Sequence, residues 1–328
     1  MNTEDDTDLE DVLAGYAERI SCALDTRVST GSPAYLYEAA QHPIRAGGKR
    51  LRPTMLLLVA EALGADEEAR DGILPASLAV ELVHTLSLIH DDVIDEDVLR
   101  RGKPAIHAKW DTSTAILAGD VLFPRAFETL LETDVSADEI LVCHRTLLRA
   151  CRQLCEGQAL DLSFEHCDSV TETEYLEMAR LKTGALFAAS ARMGAVLAGH
   201  DDRTADRAAA YGRNLGVAYQ LYDDVLDLTG ETETLGKTRG SDVRQGKATL
   251  ITIHARRHGV DVSVLANASD TSDEQLISEL ESIGSIAYGQ KRATEYARTA
   301  KEFLDPFPKT TATNHLRGLA ELVVNRIQ

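Results

Sequence analysis

Apolar residues recur along this chain at three- and four-residue steps, the period of one face of an α-helix. Leu9, Val12, Leu13, Tyr16, Ile20 and Leu24 form one such stripe. Leu74, Leu78, Val80, Leu82, Val83 and Leu86 form a second. Tyr175, Met178, Ala179, Leu186 and Phe187 form a third, and Leu215, Val217, Leu221, Val225 and Leu228 a fourth. No convincing alternation of apolar and polar residues marks a strand. Gly47-Gly48 lacks the spacing of a dinucleotide or P-loop fingerprint. Breakers separate the stripes: Gly31-Ser32-Pro33, Gly64-Ala65-Asp66, Gly102-Lys103-Pro104, His200-Asp201-Asp202 and a polar run from Gly236 to Gly246. That run has the length and polarity of a functional loop, and Asn267 to Glu274 reads as a polar surface loop. The pattern predicts a single all-α domain over 9–328, of ten or more helices, after a disordered acidic tip at 1–8.

Composition narrows the function. With 328 residues and 44% of them hydrophobic, the chain can bury a sizeable core. Its 34 Lys+Arg against 53 Asp+Glu give a net charge of −19, which argues against general nucleic-acid binding and against docking on anionic membranes. Only nine basic residues are Lys and 25 are Arg. An acidic, lysine-poor surface fits a cell of high internal salt, where screening tames self-repulsion. Five cysteines, an odd number, argue against a disulfide framework. Cys151 and Cys155, near His166 and Cys167, read as small buried thiols rather than a zinc site. The acidic N-terminus shows no signal peptide. No run reaches the about 18–20 uncharged apolar residues that span a bilayer. A cytoplasmic protein without membrane insertion is expected.

Two segments carry the candidate chemistry. Asp91-Asp92-Val93-Ile94-Asp95 ends one apolar stripe, and Asp223-Asp224-Val225-Leu226-Asp227 ends another. On a helix each DDxxD puts three carboxylates on one side. Like charges at that spacing repel, so a cation should compensate. Oxygen donors without His or Cys suit hard ions, and Mg²⁺ is typically held by one or two carboxylates together with substrate phosphates. Five of the nine lysines stand at breakers: Lys49, Lys103, Lys182, Lys237 and Lys247. Basic residues beside glycine make good anion ligands. Two acidic clusters and several basic ones point to two phosphorylated substrates, or to one with a large polyanionic head.

In order along the chain stand GGKRLRP at 47–53, ELVHTLSLIHDDVIDED at 81–97, LRRGKPAIH at 99–107, GDVLF at 119–123, EGQALDL at 156–162, KTGALF at 182–187, YQLYDDVLDLTG at 219–230 and GKTRGSDVRQGKATL at 236–250. In this order they closely resemble the trans-isoprenyl diphosphate synthase (polyprenyl synthetase) family. The resemblance implies an isoprenoid synthase-type helical bundle with a deep central cavity, in a homodimer. It implies that Asp91, Asp92 and Asp95 bind Mg²⁺ on an allylic diphosphate (dimethylallyl, geranyl or farnesyl), joined by Asp223, Asp224 and Asp227. Arg100, Lys182, Lys237 and Lys247 would contact that diphosphate. Lys49, Arg52, His84 and Arg101 would hold isopentenyl diphosphate, and the oxygens of Thr183 and Gln220 would face the developing allylic cation.

The family's short-chain members carry a bulky aromatic four or five positions before the first motif, as a floor to the tail cavity. Leu86 and Ser87 stand there, with Val83 and Val80 deeper. Leucine is smaller than phenylalanine, so a C20 product, geranylgeranyl diphosphate, is expected, with C15, C25 and longer products left open. An intact second DDxxD disfavours a class I terpene cyclase, and retention of GGKR with every motif aspartate disfavours a non-catalytic subunit of a heteromeric synthase.

Overall fold

The computed structural model describes residues 3–28, 31–167, 169–230, 240–244, 246–260, 262 and 273–325. Its helices are α1 Thr3–Val28, α2 Ala34–Arg45, α3 Leu51–Ala62, α4 Glu67–Ile94, α5 Ile106–Lys109, α6 Thr112–Leu131, α7 Ala137–Phe164 and α8 Glu172–Ala179. A π-turn at Arg180–Gly184 leads into α9 Ala185–Leu197. There follow α10 Asp202–Thr229, α11 Ser241–Arg244, α12 Leu250–Arg257, α13 Asp273–Ser282, α14 Ser285–Phe303 and α15 Thr311–Val324. The all-α expectation holds. The breakers fall between elements, and Gly64 and Gly199 both take positive φ at helix ends.

The chain divides into two compact units. One comprises Met1–Arg149, Ala189–Ala209 and Pro306–Gly318, the other Ala150–Ala188, Ala210–Asp305 and Leu319–Gln328. Four of the five boundaries fall inside α7, α9, α10 and α15, where no breaker marks them, and the fifth, Asp305–Pro306, lies between α14 and α15. The backbone is already helical from Thr3, where an acidic tip was expected, and acidic residues suit the positive end of a helix.

In the first unit α4 is the central element. Asp66 caps it by accepting the Ala69 N–H at 2.9 Å, with Glu67 and Glu68 in the first turn. Ile73 to Val83 is buried almost continuously, so the helix is apolar on all sides. By length and composition α4 could cross a membrane, with a mean hydropathy of 1.6 over its most apolar stretch, although Glu81 interrupts the run. Burial of 67% of that stretch within the protein supplies the ordinary reason for such a sequence, a core helix.

Among the described residues the sheet is a two-stranded hairpin, β1 Leu99–Arg100 and β2 Lys103–Pro104, pairing Arg100 with Lys103. Arg101 and Gly102 both take positive φ, 53° and 71°, as a type I′ turn requires. A non-glycine residue in that conformation is uncommon, which is why LRRGKP did not read as a hairpin.

In the second unit Thr171 and Glu174 form a capping box at the start of α8. The α8 face with Tyr175 and Met178 packs with Val217, Leu221 and Tyr222 of α10 and with Leu250 and Ile253 of α12. The polar run expected at 236–246 contains the short helix α11. Most of the loop at 267–274 lies outside the described residues. Of the cysteines only Cys143 is buried, its thiol pushed up to about 12 by desolvation. Cys22, Cys155 and Cys167 are exposed, which corrects the uniformly buried reading.

Candidate active site

Each DDxxD motif lies at the C-terminal end of a long helix. The first occupies the last turn of α4, with Asp95 as its C-cap. The second occupies the last two turns of α10. A helix C-terminus carries about half a negative charge, so carboxylates are least favoured there. Neither helix has a basic residue in its last turn to offset them. The arrangement calls for an external cation, and the donors are all carboxylate oxygens, the set Mg²⁺ prefers. Among the described residues no three His, Cys, Asp or Glu side chains are already gathered into a metal shell. That suits an ion whose remaining ligands come from diphosphate and water.

The three aspartates of a motif differ in burial and in their partners. Asp91 and Asp95 are half-buried, whereas Asp92 is 5% exposed. Arg100 Nε donates to Asp92 Oδ1 at 2.6 Å, its Nη2 adds a second bond to the same oxygen, and Asp97 lies at 3.4 Å. Burial pushes the Asp92 carboxyl above its ordinary value, opposed by these Arg100 bonds. Asp223 and Asp227 are likewise half-buried, whereas Asp224 is 6% exposed. Tyr175 donates its O–H to Asp224 Oδ2, and Gln220 Nε2 donates to Oδ1 at 3.1 Å.

The cations of the first unit converge on the GGKR segment. Gly48 has φ 142°, and a Cβ there would lie 2.5 Å from Arg101 Nη1, so the glycine makes room for that guanidinium. Arg101 in turn donates to Gly47 O. Lys49 and Arg101 are exposed. Arg52 Nη1 approaches His84 Nε2 at 3.0 Å. Arginine only donates, so Nε2 accepts and the imidazole proton sits on Nδ1. Burial, then the positive charges of Arg52, Arg101, Arg50 and Arg100, hold His84 well below its ordinary 6.5. It is therefore neutral at pH 7 and orients Arg52 rather than adding charge.

In the second unit Lys182 Nζ binds Asp161 Oδ2 at 2.6 Å. Thr183 Oγ1 donates to Gln220 Oε1 at 2.6 Å. Lys182 and Thr183 ride on the π-turn, an irregularity common at functional positions. Gly157 permits this approach, since a Cβ there would lie 2.3 Å from Lys182 N. Lys247 is half-buried just before α12. Lys237 lies outside the described residues. Of the chain-length candidates, Leu86 is half-buried, Val83 is buried, and Ser87 donates to His84 O at 2.8 Å within its own helix.

Four side chains at these sites were not read as functional in the sequence. Tyr175 counted only as part of an apolar stripe, although a buried phenol needs a partner. Asp161 lay in EGQALDL with no role attached. Arg50 and Glu81 form a buried pair at 2.7 Å beneath the GGKR segment.

An all-α chain with two DDxxD helix ends, the first of them paired with Arg100, defines an isoprenoid synthase. The polyprenyl synthetase family model matches residues 33–283. The chain is 42% identical over 320 residues to a geranylgeranyl diphosphate synthase of Methanosarcina mazei, covering 97% of this chain and 98% of that protein. It is 41% identical over 334 aligned positions to a geranylfarnesyl diphosphate synthase of Natronomonas pharaonis, with coverage of 97% and 98%. A solved structure of a polyprenyl synthase from Caulobacter crescentus, complexed with calcium and isoprenyl diphosphate, superposes with a TM-score of 0.86 at 36% identity, covering 97% of this chain and 98% of that one. The protein belongs to the polyprenyl synthetase family, whose members are prenyltransferases that join isopentenyl diphosphate to allylic diphosphates.

Proposed function

We propose that this enzyme condenses isopentenyl diphosphate head-to-tail (1′-4) with allylic diphosphates and that its main product is all-trans geranylgeranyl diphosphate, C20. The observation that carries the reading is the pair of carboxylate clusters at two helix C-termini, with Arg100 on Asp92 of the first and the Tyr175 hydroxyl and Gln220 amide on Asp224 of the second. Asp91, Asp95, Asp223 and Asp227 would hold Mg²⁺. When bound, that ion neutralises charge on the departing diphosphate. Arg100 and Lys182 exchange their aspartate partners for diphosphate oxygens, and Lys237 and Lys247 add charge to the same group. Lys49, Arg52 and Arg101 bind isopentenyl diphosphate, with Arg52 aimed by His84. Thr183 and Gln220 place oxygens toward the allylic cation, and exclusion of water keeps it from being quenched. The proton released after bond formation goes to diphosphate oxygens. The test is incubation with Mg²⁺, isopentenyl diphosphate and each allylic starter, then chromatography of the dephosphorylated alcohols. C20 alcohol is expected, and hydrocarbon products would point to a cyclase instead.

A C25 product is the second reading, favoured by the Natronomonas relative's name and by the absence of an aromatic at Leu86. Leu86 lies one turn before His90 and so on its face of α4, which meets α6 at Gly119. Leu86→Phe raises the floor and shifts the product toward C15. An unchanged product distribution would place the floor elsewhere.

We further propose that the enzyme works as a homodimer. Ile116, Leu117, Phe123 and Leu131 on α6, with Leu141 and Leu148 on α7, form an exposed apolar surface, joined by the Phe127–His144 ring contact at 5.7 Å. A patch of this kind marks an association face, and a second copy of the chain is the occupant proposed for it. Sedimentation at twice the chain mass, reduced to the chain mass by Leu117→Asp with Leu148→Asp, is expected. A monomeric wild type would refute it.

A further inference from the structure

We propose that Tyr175 is a positioning residue of the reaction, acting through Asp224 and Gln220 to fix which way the Thr183 hydroxyl points. The inference rests on the reading of Thr183 and Gln220 as the groups that face the allylic cation, and it adds a residue outside every motif.

The four side chains form one chain of hydrogen bonds within the second unit. Tyr175 donates to Asp224 Oδ2, Gln220 Nε2 donates to Asp224 Oδ1 at 3.1 Å, and Thr183 Oγ1 donates to Gln220 Oε1 at 2.6 Å. Its polarity follows from chemistry alone. An ionised carboxylate only accepts, so the Gln220 group facing Asp224 must be the NH₂. The amide oxygen then faces Thr183 and takes its single proton. Thr183 is left presenting lone pairs, the end of the hydroxyl dipole that attracts a cation. With the amide turned over, its NH₂ would donate to Thr183, and the hydroxyl proton would point outward at the cation instead.

The direction of the chain therefore depends on Asp224 staying in place. Gln220 anchors one of its oxygens, and Tyr175 anchors the other. Tyr175 is 1% exposed and sits in the cluster with Met178, Val217, Leu221 and Tyr222, so its ring cannot leave. Loss of the phenol oxygen alone deletes the Tyr175 bond to Oδ2. The carboxylate can then turn, which removes the preference of the Gln220 amide for one orientation. The same bonds give Asp224 a role distinct from that of Asp223 and Asp227.

Tyr175→Phe keeps the packing and deletes the bond. Supporting partners outside the reacting centre commonly matter by about tenfold to a hundredfold, and a loss of kcat in that range is expected. The KM for both substrates and the half-saturating Mg²⁺ concentration should stay within about twofold, because the interaction acts only in the transition state. Gln220→Ala should be slower than wild type, and Tyr175→Phe with Gln220→Ala should be no slower than Gln220→Ala alone. Wild-type kcat in Tyr175→Phe overturns the inference. So does a loss that appears in KM, in the Mg²⁺ requirement or in thermal stability with kcat unchanged, and so do losses that multiply in the double variant. Those outcomes leave the enzyme's activity reading intact. A wild-type enzyme that forms no prenyl diphosphate refutes that reading instead, and wild-type kcat in Gln220→Ala removes the intermediary and overturns both the Tyr175 inference and the role of Gln220.

Discussion

Asp91→Ala lowers turnover by about 10²–10³-fold, the range seen when one electrostatic contact to a transition state is removed. The protein should nonetheless unfold at the wild-type temperature or slightly above. Asp91 stands in the last turn of α4, where the helix dipole opposes a negative charge. It also lies four residues from Asp95, a like-charge pair that costs helix stability. The carboxylate is therefore poorly placed for folding and well placed for a metal-bound diphosphate. Steady-state kinetics beside a thermal melt check both halves. Near-normal product formation would contradict the role given to this helix end.

Arg50→Met has the largest expected effect on stability. The Arg50 guanidinium is 1% exposed and Glu81 2%. It gives Nη1 to Glu81 at 2.7 Å, Nη2 to Ile44 O at 2.7 Å and Nε to Ser21 at 3.0 Å. Removing one partner of such a pair leaves a buried charge uncompensated, at about 3–5 kcal/mol. Replacing both, Arg50→Met with Glu81→Leu, should recover most of that loss, because a buried pair is worth little against apolar residues of similar size. Urea unfolding of the two single variants and the double variant gives the coupling. Additive losses would show that the charges do not act as a pair. Arg50 also takes positive φ, 49°, as the cap of α3. The pair thus fastens the GGKR segment to α4, between Lys49 and Arg52 and three residues before His84.

The helices and both acidic motifs were legible because each is a local pattern, a 3.6-residue period or a fixed spacing of carboxylates. What was not legible depends on direction and depth. Asp91 and Asp95 lie nearly above one another on the helix, while Asp92 is turned about 100° away and meets Arg100. In the second motif the same rotation turns Asp224 to Tyr175 and Gln220. Arg50 and Arg52 read alike as cations of one segment, but the αL backbone at Arg50 sends its side chain inward to Glu81. The hairpin that carries Arg100 and Arg101 required positive φ at an arginine, which no spacing announces. Four of the five unit boundaries pass through helices and have no sequence mark.

The cations proposed for the anionic substrates each rest against a carboxylate or carbonyl of the chain: Arg100 on Asp92, Lys182 on Asp161, Arg101 on Gly47 O. The most direct test of this account is product formation by the purified chain with Mg²⁺, isopentenyl diphosphate and farnesyl diphosphate. It predicts geranylgeranyl diphosphate as the main product, abolished by chelation of the metal. Absence of any elongated prenyl diphosphate, or elongation that survives complete removal of divalent metal, would contradict it.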